Sequence, residues 1–493
     1  MRAFRLIACL VLAAFIWGSA GAEESNFWPI RVDQKPGSGG TTESWQGGGP
    51  LFFGQWSADG SGAGGLRPLY VYRTDAAGHA RESDFLYPLI TDRENDAYRR
   101  WSLLSLISLI NVSGPTVPGA AGTRHFDVWP VYFSRDTGAA ATSYHAVFPL
   151  AGAVRDRLGY DRFSWVLFPL YGRFEKHGAV TTDTPWPFVK FVHGDGHHGF
   201  ELWPLFGWRG KAGVYHDQYY LWPLIYRDEA QLSSPTPTVL LGVLPFYARD
   251  AGAGFRSETY LWPFFGYTHR QAPDRYDETR WFWPLLVQGR GDGRLVNRWA
   301  PLYTHSSYHG DDKRWWLWPL FRQEQWSESG LTVTRSQLLY FLFWSQRERD
   351  PARPARSPAE KTHLWPLLSY WDNGAGQRQC QVLSPFEVFF PTSQPVRDAW
   401  SPLFALLRYD QRAPGDTRWS LLWDAVTWRR TPTRREFHLG PLLGLERGPQ
   451  AGRVALLGGL FGFRRGPAGQ AWKPFLFDFS SKPDKSTRPA AMP

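Results

Sequence analysis

The densest group of side chains able to do chemistry is the run HGDGHHG, His193 to Gly199. His193, His197 and His198 offer imidazole nitrogens and Asp195 a carboxylate, donor types that bind Zn²⁺, Cu²⁺ or Ni²⁺. Their spacing follows no standard zinc pattern, and the glycines make a pliable loop that a metal would have to order. The competing reading is a polar connection between two elements. The densest basic stretch, WRRTPTRREFH from Trp428 to His438, is either a contact for lipopolysaccharide or nucleic-acid phosphates or a solvated loop. The tripeptide Arg290–Asp292 falls in a glycine turn, which accounts for it. The sequence contains no nucleophile elbow, no H-E-x-x-H, no phosphate-binding loop and no dinucleotide fingerprint. Its carboxylates form no repeated pair of the kind glycoside hydrolysis requires. Neither an enzyme nor a cofactor is expected.

The elements that must carry these residues announce themselves through proline. TYLWPFFGYTH (Thr259 to His269) sits between YYLWPLIYRD and RWFWPLLVQG, and the same figure recurs from Pro29 to Pro474. Four intervals of double length hold proline-free copies: SLLSLISLI, LLYFLFWS, LLWDAV and LLGGLFGF. Counting these, the chain holds about 24 units of about 19 residues, which calls for a repeat architecture. Aromatic residues make up 17% of the chain, which favours β-structure. Its 49 glycines and 39 prolines fall at regular intervals, so they punctuate short elements. Each unit runs from a charged lead-in through an aromatic-aliphatic centre to a polar exit and a turn. Short turns imply antiparallel neighbours.

The expected fold is therefore all-β: an antiparallel repeat, first read as a large up-and-down barrel or closed sheet. Glycine turns alternate with longer proline-bearing connections such as LSSPTPT and RERDPARPARSPAEK, the two-sided asymmetry of outer-membrane barrels. The terminal WKPFLFDF, with Phe475, Phe477 and Phe479 alternating, resembles the aromatic-ended last strand of such barrels. Two features favour a propeller-like alternative with strands broken at the W-P. The centre is apolar on both faces (Tyr260, Trp262 and Phe264 on one; Leu261, Pro263 and Phe265 on the other). A mid-strand proline also removes a ladder hydrogen bond. Trp203, Trp222, Trp262, Trp283, Trp318 and Trp365 each precede a repeat proline. They suit a packed core, lipid contact or stacking on sugars.

The N-terminus has the form of an export signal: Arg2 and Arg5, an apolar run from Leu6 to Trp17, and a small-residue end with cleavage expected after Ala22. LIAC ending at Cys9 is an alternative lipidation site. Removal of Arg2 and Arg5 lowers the net charge from +10 to +8, a mild excess, and no nucleic-acid partner is expected. Only Cys380 then remains, so no intramolecular disulfide can form. The reading divides the chain into a signal (1–22), one β-repeat domain (23–479) and a polar tail (480–493). It describes an exported, non-enzymatic protein of the outer membrane with a structural, conduit or adaptor role, in contact with membrane lipid, lipopolysaccharide or an envelope protein. The alternative is a soluble periplasmic or secreted binder of glycans or of a protein partner.

Overall fold

The structure, a computed structural model, describes residues 24–35, 42–112, 122–449, 451–466 and 470–478. The expected signal with Cys9 and the polar tail from Ser480 lie outside them. Within the described residues the chain is an antiparallel meander of 45 strands, each four to eight residues long. It divides into two compact units, residues 1–93 with 341–493, and residues 94–340.

The repeat proline separates two strands. In the motif Thr259 to His269, the strand Phe255–Tyr260 ends before Leu261, and Phe265–Arg270 begins after Phe264. The two strands pair with each other, Tyr260 opposite Phe265. Between them Leu261 has φ 45°, the Trp262–Pro263 bond is cis, and the Phe264 N–H donates to the Leu261 carbonyl at 3.0 Å. This is a β-turn with proline third, a position whose missing N–H costs no ladder bond. Successive turns of this kind also bond to one another along the meander. Leu261 N–H donates to Phe246 O at 2.8 Å, Trp283 N–H to Phe264 O at 2.9 Å, and Ala300 N–H to Leu285 O at 2.8 Å. The apolar centre is thus a turn tip and has no two faces to assign. In the proline-free copies, residues at positive φ reverse the chain instead: Leu104 and Ser105, Leu339 and Tyr340, Leu422 and Trp423, Leu457 and Gly458.

The antiparallel all-β repeat is present, at two short strands per expected unit. Closure is not. Among the described residues the first strand, Glu24–Phe27, pairs only with Arg31–Gln34, and the last, Lys473–Leu476, only with Phe461–Arg465. Strands of this length also fall short of the roughly 9–11 residues of a membrane-spanning strand. The turn asymmetry has a different origin from the one expected. Because each W-P adds a reversal, glycine turns and longer loops emerge on the same side of a unit. The turns at 253–254 and 292–293 and the loop 231–237 all follow an even-numbered strand. Pro474 lies inside the final strand, at an edge where its missing N–H is tolerated, and Phe477 lies beyond that strand.

In the unit 94–340 the buried aromatic centre is Tyr144, Phe163 and Trp165 with Ala146 and Val154. In the other unit Phe53, Ala63 and Val71 pack against Ala399, carried by the short helix Gln394–Ala399. That helix starts at the proline-bearing connection PTSQP, where Pro395 fits the first helical turn.

Candidate lipid-facing rim

Strict up-and-down order sends every odd-to-even connection of a unit to one rim and every even-to-odd connection to the other. The sequence makes these two rims chemically opposite. One is built from LWPL-type turns, whose tips are exposed: Leu221 53%, Trp222 46%, Leu261 55%, Trp262 47%, Phe264 48% and Trp318 58%. The other is built from Gly, Asp and His turns such as Asp195–Gly196 and His309–Gly310, both at positive φ, the two-residue hairpin form.

The apolar surface continues from the tips onto one sheet face. Tyr220, Tyr260, Trp281, Trp299, Trp316 and Phe321 end or begin the strands beside the rim, and all are exposed. One row further from the rim the same face turns polar, with Gln218, Glu258, Thr279, Asn297 and Arg314. From the first turn residue to the polar row is three residues (Leu261 to Glu258), roughly 10 Å at a strand rise of about 3.3 Å. Successive tips lie two strands apart, about 10 Å. Some tip rings are held in place: Trp222 packs against Tyr219 and Tyr226 at 6.0 and 5.9 Å between centroids. On the opposite face, the four successive strands from Val189 to Tyr220 carry the ion pairs Lys190–Glu201 at 3.1 Å and Arg209–Asp217 at 2.9 Å. Exposed apolar surface this continuous is uncommon on soluble monomers and marks a contact surface. Of the tryptophans before the repeat prolines, Trp203, Trp222, Trp262, Trp283 and Trp318 therefore sit at exposed tips, whereas Trp365 is half-buried against Phe341 and Phe389.

The histidine run forms a tight hairpin. His193 is the penultimate residue of the strand Val189–Gly194, Asp195 and Gly196 make the turn, and His197 and His198 open the strand His197–Leu202. His193 and His198 are direct cross-strand partners and share a face. His197, the next residue, points to the other face, where its Nδ1 lies 2.9 Å from the Tyr215 hydroxyl. The Asp195 carboxylate accepts from Lys211 Nζ at 2.6 Å, which holds its pKa below the ordinary value. The four residues are not gathered about one point, and no group of three or more metal-capable side chains occurs among the described residues.

Sequence reasoning passed over a buried charge network in the unit containing both chain ends. Arg418 donates to Glu24 at 2.8 Å and lies 2.9 Å from Asp424, and Thr427 Oγ1 donates to Glu24 at 2.6 Å. Arg429 pairs with Asp416 at 3.1 Å. Burial pushes the Glu24 carboxyl up, but Arg418 and the other donors outweigh it and hold it at about 2. The stretch Trp428–His438 is not a solvated loop: Arg429, Glu436 and His438 point inward from two paired strands, and only the turn between them is loop. One signal of the network stood in the repeat. LLWDAV places Asp424 after Trp423, where most copies carry proline. No protein-family model and no curated protein matches this chain.

Proposed function

We propose that this chain is a non-enzymatic envelope protein that seats its apolar rim in one leaflet of a membrane and turns its polar rim to the aqueous side, in a structural or adaptor role. The carrying observation is the alignment of exposed Leu, Trp and Phe turn tips on one rim, continued by an aromatic belt. The roughly 10 Å between tip and polar row falls at the upper end of the depth of about 5–10 Å at which amphipathic elements lie in the boundary between headgroups and acyl chains. Trp and Tyr favour that level, and the mild positive charge of +8 left after signal removal (10 − 2) favours anionic headgroups. The signal-like N-terminus supports placement in the envelope. The short strands fit one leaflet better than a full span.

The test is flotation with phosphatidylethanolamine/phosphatidylglycerol vesicles, half of them carrying acyl chains brominated near the headgroup. The protein should float with the vesicles, and the bromines should quench its tryptophan emission. Replacing Leu261, Trp262 and Phe264 together with Ser should weaken partitioning by about tenfold or more, since each tip leaving water contributes about 1.5–3 kcal/mol. Melting temperature should hold, because those side chains are already exposed. Emission indifferent to the bromines, or a response only to soluble glycans, sinks the reading.

A further inference from the structure

A cavity of about 270 Å³ lies within the unit formed by residues 1–93 and 341–493. Five arginines line it (Arg67, Arg378, Arg408, Arg412 and Arg418) against two carboxylates, Asp410 and Asp424. Three of the five are answered: Arg378 by Asp372 at 2.7 Å, Arg408 by Asp410 at 2.8 Å, and Arg418 by Glu24 and Asp424.

Arg67 and Arg412 are not. Arg67 is 6% exposed, stacks on Phe53 at 3.6 Å, and donates only to the carbonyls of Asp398 at 2.7 Å and Pro50 at 2.9 Å. The Asp398 carboxylate is taken by Arg73 at 2.9 Å and Gln394 at 2.8 Å. Arg412 donates through Nη2 to Gln34 Oε1, with Ser44 Oγ at 3.5 Å, and its buried Nη1 has no partner. Burial, then the Arg408 charge, bring the Arg67 guanidinium down to about 9. Burial, then Arg418 and Arg429, lower that of Arg412. A buried and a half-buried guanidinium without a contacting carboxylate are costly unless an anion reaches them.

We propose that this cavity binds a phosphate group, either free or on a small phosphomonoester. A tetrahedral oxyanion offers guanidinium groups the paired acceptors they bind best, so it can take the open Nη1 of Arg412 together with neighbouring arginines. Asp424 Oδ2, buried without a partner on the same wall, accepts a hydrogen from a P–OH group. The volume equals that of about nine waters at roughly 30 Å³ each, room for phosphate with a glycerol- or sugar-sized substituent but not for acyl chains. The site does not depend on the lipid-facing reading.

The experiment is titration calorimetry of the full chain with inorganic phosphate and with glycerol 3-phosphate, against chloride at equal ionic strength. Saturable heat at one site per chain is expected. Arg412→Gln should weaken it at least tenfold, and Arg290→Gln, an exposed control, should leave it unchanged. Arg378→Gln, at a partly exposed wall position, reports on the site even if Arg412→Gln misfolds, and should also weaken binding. No heat beyond the chloride control overturns the proposal, as does equal affinity in Arg378→Gln and Arg290→Gln. Displacement of bound phosphate by phosphatidylglycerol vesicles would assign the site to a lipid headgroup and overturn the small-molecule assignment.

Discussion

Glu24 and Glu436 are buried carboxylates that titrate in opposite directions. Glu24 is held near 2 although burial works to raise it, because Arg418 and Thr427 bind its charged form. A lowered carboxylate contributes stability that is present above its ordinary value near 4.5 and lost as pH falls toward 2, here about 3 kcal/mol. Arg418→Met should remove that contribution and strand two buried carboxylates, costing about 3–5 kcal/mol in a denaturant melt at pH 7. Glu436 is pushed up to about 8 by burial, with the Glu24 and Glu446 charges adding to it and Arg434 at 3.3 Å offsetting only part. Its contribution is fully present below pH 4.5 and is lost as pH rises through 8. Glu436→Gln should therefore raise the melting temperature at pH 7–8 and leave it nearly unchanged at pH 4. Equal shifts at both pH values would count against a neutral buried Glu436. Little of this was legible beforehand, because the partners of Glu24 lie some 390–400 residues away in sequence. Only the basic stretch and the Asp in LLWDAV hinted at it.

At the scale of the element, the repeat is a hairpin whose two ends obey different rules. The apolar end is reversed by proline or by residues at positive φ, the polar end by Asp-Gly and His-Gly pairs. Glycines inside strands have a third role, making room for a cross-strand ring. Gly207 faces Tyr219, and Gly242 faces Tyr226. A methyl group on Gly242 would lie 2.2 Å from the Tyr226 ring, so the ring would have to leave its place. Gly242→Ala should lower stability by about 1–3 kcal/mol, the usual cost of overpacking, read as a shift in urea midpoint at constant slope. No loss of stability would mean that the ring is free to move. The turn grammar was readable because it is local: proline, glycine and aromatic spacing act within four residues. Strand length was misread for the same reason. From sequence alone a proline at the centre of an apolar run is compatible with a bend or a reversal, and the turn-to-turn hydrogen bonds that favour reversal form only between successive hairpins.

For the whole molecule, each unit combines a local meander with contacts of very different sequence range. In the unit holding both ends, the first strand, Glu24–Phe27, sends Glu24 and Asn26 to Arg418, Thr427 and the Asp424 carbonyl. Deleting residues 24–35 should therefore expose amides of the strands Asp416–Leu421 and Val426–Arg430 to hydrogen exchange, well beyond the deletion itself. Unchanged protection there would show that those strands stand without it. The amino-acid sequence by itself determined the all-β class, the antiparallel order, the repeat spacing and the identity of the residues that reverse the chain, because these follow from backbone preferences over a few residues. Tertiary structure alone decided that the sheet stays open between its first and last strands. It also decided that the proline tips within a unit share one rim, that the histidines divide between two faces, and that distant charges meet around a cavity. Each of these depends on which strands stand side by side, and a residue's own neighbours in sequence carry no record of that.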